Sequence, residues 1–311
     1  MVNVLVCPGQ GSQKVGMGRD LADQYPAARQ VFERVDAALG SPPLSRLMWE
    51  GPEDELTLTH NAQPAILAHS VAALAAATGL LEPPAMAAGH SLGEYSAYVA
   101  AGSLTVEDAA RLVRRRGELM LEAGQARPGA MAAVLGLATA EVATACSESS
   151  DGGGIVVAAN QNAPDQTVIS GDPEAVDRAG ARCKELGARR VIPLKVSGAF
   201  HSPLMEPAMP GLAAALEATP FADPRFPVVA NATATPVHTA AEARARLLEQ
   251  LTAPVRWVAT VETLAREVPG ARFVEAGPGS VLAGLVRRIV PGTEVVTLGT
   301  PEDVARLQER A

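Results

Sequence analysis

The chain has 311 residues, 48% of them hydrophobic and 19% charged, enough to bury roughly three quarters of its unfolded surface in one large domain or one domain carrying an insert. A net charge of −8 argues against nucleic acid as a general partner, and no apolar run reaches membrane-spanning length. Cys7, Cys146 and Cys183 are too few and too scattered for a disulfide framework or a metal site, which fits a reducing, cytoplasmic setting.

Val2–Cys7 is a continuous apolar run. It reads as a buried first strand rather than a leader peptide, since no basic segment precedes it. It runs into Pro8-Gly9-Gln10-Gly11-Ser12-Gln13. That turn resembles the opening of a dinucleotide fingerprint, but Lys14 holds the third glycine's place and no acidic residue follows a second strand at the needed distance. A dinucleotide site is therefore rejected. What remains is a Gly-rich turn at a strand's carboxyl end, whose amide N–H groups can face an anion or an oxyanion.

Asp20 to Gly40 reads as one helix with Val31, Phe32, Val35 and Leu39 on one face. Ser41 to Thr59 reads as an irregular, Pro-rich surface. Pro64 suits the first turn of a helix running to about Gly79, with Leu67, Val71 and Leu74 inward.

A short apolar run from Ala85 ends in Gly89-His90-Ser91-Leu92-Gly93, and a helical pattern follows to Gly102. A strand, a sharp turn and a serine at a helix start form the layout of a nucleophile elbow. Gly89 and Gly93 let strand and helix pass closely. The helix start supplies unpaired N–H groups and the positive end of a dipole. The same residues also fit Ser91 as a simple N-cap, and five residues alone leave both readings open.

Thr105 caps the next helix, with Asp108 in capping-box position. Its apolar stripe of Ala109, Leu112, Val113 and Met120 includes Arg116 by 3.6-residue spacing, while Arg111, Arg114 and Arg115 point elsewhere. A guanidinium on a buried face is costly unless an anion meets it. Arg116 therefore meets either an internal carboxylate or an anionic ligand. Gly117 thins the helix beside it.

From Pro128 the pattern changes. Ala130–Leu137 reads as a strand, Thr139–Ser149 as a helix, and Ile155–Asn160 and Thr167–Ser170 as strands joined by a turn at Asn162–Asp165. Asp172–Leu186 is a helix and Arg190–Leu194 a strand. That is the βαββαβ order of a ferredoxin-like unit. The expected architecture is α/β: a large domain with a mainly parallel sheet, residues 1–127 and 197–311, and a small ferredoxin-like insert, residues 128–196.

The large domain resumes at Ser197. Ser202 as N-cap and Pro203 as first helical residue put His201 just outside a helix start, in the seam between domains. Pro207 and Pro210 kink or shorten that helix. A strand at Val228–Ala230, a helix at Ala240–Leu251, a strand at Phe273–Glu275 and a helix at Val281–Ile289 follow. His60, His69 and His238 read as surface or structural residues. His90 flanks Ser91, and His201 is the choice of general base. An esterase would also carry an acid between serine and histidine in chain order, yet no Asp or Glu there sits at a convincing strand end.

Pro8-Gly9-Gln10-Gly11-Ser12-Gln13, Gly89-His90-Ser91-Leu92-Gly93-Glu94-Tyr95, Arg116-Gly117, Ala199-Phe200-His201-Ser202 and Glu275-Ala276-Gly277-Pro278-Gly279 together resemble the malonyl-CoA:acyl-carrier-protein transacylase family. Their order matches nearly end to end, with the insert in the right gap. The resemblance implies an α/β-hydrolase-like large domain. It implies Ser91 as the acylated nucleophile, His201 as base, and the N–H groups of Gln10 and Leu92 as oxyanion hole. The main-chain carbonyl of Gln250 would orient the histidine in place of the missing acid. Arg116 would hold the malonate carboxylate, which its planar fork suits better than a lysine would. His90, Asn160, Asn162 and Phe200 would line the substrate pocket, with Phe200 matching the malonyl-selecting form.

The implied reaction moves malonyl from malonyl-CoA to the phosphopantetheine thiol of acyl carrier protein through a malonyl-serine, with no metal and no cofactor. The acidic carrier would meet a basic patch drawn from Arg189, Arg190, Lys195, Arg287 and Arg288; these are otherwise ordinary solvated ends. A discrete, monomeric enzyme is expected, serving either fatty acid or polyketide synthesis. The competing readings are a serine hydrolase or thioesterase, a trans-acting polyketide acyltransferase for another extender unit, and a non-catalytic carrier-binding module.

Overall fold

The computed structural model describes residues 2–151 and 153–309; Met1, Gly152, Arg310 and Ala311 lie outside them. Strand β1 (Asn3–Cys7) is followed by α1 (Arg19–Gln24), α2 (Pro26–Leu39), α3 (Leu44–Glu50), α4 (Glu53–Thr57) and α5 (Thr59–Ala76). Then come β2 (Met86–Gly89), α6 (Gly93–Ala100) and α7 (Val106–Ala126). A second unit holds β3 (Ala130–Leu135), α8 (Thr139–Ser150), β4 (Val156–Ala163), β5 (Gln166–Gly171), α9 (Pro173–Glu185) and β6 (Arg190–Pro193). A 3₁₀ turn at Pro203–Ala208 leads into α10 (Met209–Ala218), β7 (Val228–Val229), β8 (Pro236–Val237), α11 (Ala240–Glu249) and α12 (Trp257–Glu267). The described chain closes with β9 (Arg272–Ala276), α13 (Val281–Ile289), β10 (Val295–Leu298) and α14 (Pro301–Gln308).

One sheet runs β10-β9-β1-β2-β7-β8 and is parallel except for the β7–β8 pair. The other runs β4-β5-β3-β6 and is antiparallel. Every residue of β1 and β2 is buried, as expected of central strands covered by helices on both faces. One face packs against α2, α5, α6 and α7, and the other against α12 and α13. The antiparallel sheet has its own core around Val134, Ile169, Cys146 and Val176. Its Met131, Ala159 and Val168 instead join the main core. A bridge from Asn160 to Val255 also ties the two units together. The register sets Cys7 beside Gly89, so the turns leaving β1 and β2 emerge side by side at the carboxyl ends of the strands, where open α/β sheets place their ligands.

The expected helix from Asp20 to Gly40 is two helices. Tyr25 is extended, with φ −120° and ψ 108°, because the residue before a proline is disfavoured in the α region. Ser41 to Thr59 is not irregular: α3 and α4 bury Leu44, Met48 and Leu56. Pro43 and Pro52 stand immediately before those helices, where proline starts a helix rather than breaking it. Pro64 lies inside α5 rather than in its first turn, and α5 is buried almost all round, with Val71 and Leu74 only half-buried. Elements β8, α12, β10 and α14 add to those expected. Cys7, Cys146 and Cys183 are buried free thiols. Among the described residues, no helix is long and apolar enough to cross a membrane.

Candidate active site

Ser91 has φ 51°, a left-handed conformation unfavourable for a residue with a Cβ. The backbone crossing around it explains the flanking glycines. A Cβ on Gly89 would come within 1.9 Å of the Gly93 carbonyl carbon, and one on Gly93 within 2.0 Å of the Cys7 carbonyl oxygen. Asn231, just after β7, holds the strained turn from two sides. Its Oδ1 accepts the Ser91 N–H at 2.6 Å, and its Nδ2 donates to the Gly89 carbonyl at 2.7 Å.

His201 also has a positive φ, 56°. It precedes the Ser202 cap, whose Oγ accepts the Leu204 N–H and donates to the Ala199 carbonyl. The His201 Nδ1 lies 2.9 Å from the main-chain oxygen of Gln250. A carbonyl only accepts, so the proton sits on Nδ1 and the Nε2 lone pair is free. Nε2 lies 2.7 Å from the Ser91 Oγ, which donates its proton to it. Burial first, and the Arg116 charge second, push His201 down to about 3, so the imidazole is neutral.

Arg116 projects from α7 and is 1% exposed. It donates to the side-chain oxygens of Gln63 at 2.7 Å and Gln250 at 3.0 Å, and to the Ser91 Oγ at 3.2 Å. Its guanidinium carbon lies 5.5 Å from the centre of the Tyr95 ring. Its Nε has no acceptor among the described residues. Among the described residues no carboxylate pairs with it; Glu94 is linked to it through the Gln250 amide, whose Nε2 donates to Glu94 Oε2 at 2.7 Å. Burial lowers the Arg116 pKa. The alternatives left by the sequence thus resolve against an internal ion pair.

These groups line one cavity of about 340 Å³. Ser91, Leu92, Gln10, Arg116, His90, Phe200 and His201 contribute from the parallel-sheet side, and Asn160, Asn162, Met131 and Lys195 from the antiparallel side. His90 Nε2 lies 2.7 Å from Asn162 Oδ1. Among the described residues, the Gln10 and Leu92 amides donate to no protein acceptor. The Gln10 side chain accepts from Thr59, which accepts from Gln63, so the turn after β1 is tied to Arg116. A larger cavity of about 540 Å³ lies near Asn3, Leu74, Pro83 and Phe226. It is at the amino end of β1 and holds no nucleophile–base pair.

The expected basic patch is uneven. Arg189 and Arg288 both pair with Asp165, and Arg287 donates to the Val295 carbonyl. Arg190 and Lys195 have no ion pair among the described residues. His69 is buried against the Gly299 carbonyl, His60 is half-buried, and His238 is exposed. Three residues of the site's network carried no role in the sequence reading: Asn231, Gln63 and Glu94. Each left a signal. Asn231 follows a short strand at its carboxyl end, and Gln63 is a polar residue in an apolar helix. Glu94 is a carboxylate on the first turn of the helix after Ser91.

The acyl transferase domain family matches residues 4–300 of the chain. The chain is 44% identical over 297 residues to the malonyl CoA-acyl carrier protein transacylase of Bacillus subtilis (strain 168), spanning 96% of this chain and 93% of that protein. It is similar to the crystal structure of an acyl carrier protein S-malonyltransferase from Vibrio cholerae, with TM-score 0.94 and 42% identity over 99% of this chain and 100% of that one. It is equally similar to a malonyl-transacylase solved in complex with its type II PKS acyl-carrier protein, with TM-score 0.94 and 42% identity over 100% of both chains.

Proposed function

Because this chain belongs to the acyl transferase family, we propose that it moves malonyl from malonyl-CoA to the phosphopantetheine thiol of an acyl carrier protein, through a malonyl-Ser91 ester. The observation that carries the reading is Arg116, a buried cation with no paired carboxylate among the described residues, donating to the Ser91 Oγ. An acyl group ending in a carboxylate supplies the missing anion next to the reacting oxygen.

In the first step Ser91 Oγ attacks the thioester carbon while His201 Nε2 takes its proton. The Gln10 and Leu92 N–H groups receive the oxyanion. The carbon–sulfur bond then breaks, and CoA leaves with the proton from His201. In the second step the carrier thiol gives its proton to His201 and attacks the ester, and Ser91 recovers its hydrogen. The charge of Arg116 contributes to the low His201 pKa. A malonate carboxylate on Arg116 offsets that charge and makes His201 a better base when the correct acyl group is present. Holding the acyl chain on Arg116 also favours an aligned thiol over water. The route draws on no metal or organic cofactor, and a monomeric cytoplasmic enzyme suffices for it.

We read residues 1–127 and 197–311 as an α/β-hydrolase-like domain and residues 128–196 as a ferredoxin-like subdomain, a reading supported by the strand order β4-β5-β3-β6. Of the five basic residues, Arg190 and Lys195 are the best suited to an acidic carrier, because Arg189 and Arg288 already share Asp165. Intact-mass spectrometry after mixing with malonyl-CoA tests the core of the proposal. The expected result is one malonyl group on Ser91 and none in Ser91→Ala. Absence of that mass gain, or continuous CoA release without a carrier protein, would overturn it.

A further inference from the structure

We propose that Glu94 is a positioning residue for selection of the malonyl group: its carboxyl fixes which way the Gln250 carboxamide faces, and so keeps an acceptor on Arg116. This deepens the malonyl-transfer reading above and rests on it.

Glu94 and Gln250 are both fully buried. The Gln250 amide has three partners. Its Nε2 donates to Glu94 Oε2 at 2.7 Å and to the Ser91 carbonyl at 3.0 Å, while its Oε1 accepts from Arg116 at 3.0 Å. The first two partners offer oxygens and the third only donates. Turned over, the amide would set its NH₂ against the guanidinium and its oxygen against two acceptors. Among fully buried side chains each such mismatch leaves a polar group unsatisfied. Glu94 is itself held by the Asn231 N–H at 3.0 Å, and Asn231 holds the elbow. Without Glu94, only the Ser91 carbonyl would retain the amide NH₂.

The consequence falls unevenly. Arg116 depends on the Gln250 side chain, whereas His201 depends on its main-chain oxygen. Loss of Glu94 therefore disturbs the grip on the acyl carboxylate more than proton transfer. Glu94 needs only its Oε2 for this. Its Oε1 has no partner among the described residues, so a proton there, or the NH₂ of a glutamine, leaves both accepted hydrogen bonds in place. Burial pushes its pKa up to about 7, consistent with a role that survives loss of the charge.

The test measures kcat/KM for malonyl-CoA and acetyl-CoA in the full chain and its variants. In Glu94→Ala the malonyl-to-acetyl ratio is expected to fall about tenfold, with the larger loss on malonyl-CoA. Glu94→Gln is expected to restore the ratio to within about threefold of the unaltered chain. Should Glu94→Ala not fold, Glu94→Asp carries the test, since its carboxyl stops one methylene short of the Gln250 amide and should lower the same ratio. A merely structural role would lower both donors together. An unchanged ratio in the alanine or aspartate variant would overturn the proposal, as would a glutamine variant as unselective as the alanine one. If the unaltered chain itself shows no malonyl preference, the functional reading fails instead.

Discussion

The parallel and antiparallel sheets each supply one wall of the cleft, and the walls differ in how firmly their polar groups are held. On the parallel side, Ser91 and His201 both sit at positive φ. Asn231, Gln250 and Glu94 brace those turns with hydrogen bonds that leave little choice of geometry. On the antiparallel side, Asn162 meets His90 through one side-chain bond, while Leu194 is 37% exposed. In the proposed reaction those two strained residues are the ones that must meet the thioester carbon, and the opposite wall only shapes and charges the opening. Backbone strain of this kind persists only where surrounding contacts over-determine it.

If the parallel wall carries the chemistry, breaking it should cost most. His201→Ala is expected to slow acylation of Ser91 about a thousandfold or more, measured by quenched-flow mass spectrometry with malonyl-CoA. Gly93→Ala adds a Cβ within 2.0 Å of the Cys7 carbonyl oxygen. It should destabilise the fold by about 3 kcal/mol or more, read by thermal denaturation; native stability would mean that the elbow can relax. Arg190→Glu, on the other wall but outside the cavity lining, should leave acylation by malonyl-CoA unchanged. It should slow transfer to an acidic carrier by about threefold to tenfold at low salt, a difference that high salt removes.

The smallest expected effect is in the pH profile. Folded His201 is neutral because burial and Arg116 lower its pKa from 6.5 to about 3. The acylation rate should therefore show no acid limb near the ordinary imidazole value. An acid limb there would contradict the neutral, buried histidine. Stability moves the other way: the unfolded chain takes up the proton that folded His201 refuses, so this residue's contribution falls as the pH drops from 6.5 toward 3.

Much of the parallel wall was legible because its constraints act locally. Gly89 and Gly93 announce a crossing of strand and helix, and Arg116 announces itself as a cation on an apolar stripe. The Ser202-Pro203 pair marks the helix start beside His201. The network beneath was not legible in the same way. Asn231 is 140 residues from Ser91, and Gln250 is 159. Nothing in local spacing says that they meet. Helices α3 and α4 were hidden by prolines standing at their starts. Helix α5 was legible as a helix, but its start at Thr59 and its all-round burial were not, because burial on nearly every side leaves no polar face to set its period.

In the proposed reaction Arg116 is a buried cation awaiting the carboxylate of the acyl group on Ser91. The most direct measurement is a competition in which the protein meets equal concentrations of malonyl-CoA and acetyl-CoA and the mass of the acyl group on Ser91 is read. The unaltered chain should carry malonyl almost alone. Arg116→Ala should lose about a hundredfold of that preference and accept acetyl more readily, because His201 is relieved of a neighbouring positive charge. A variant that still carried malonyl with the original preference would contradict the claim.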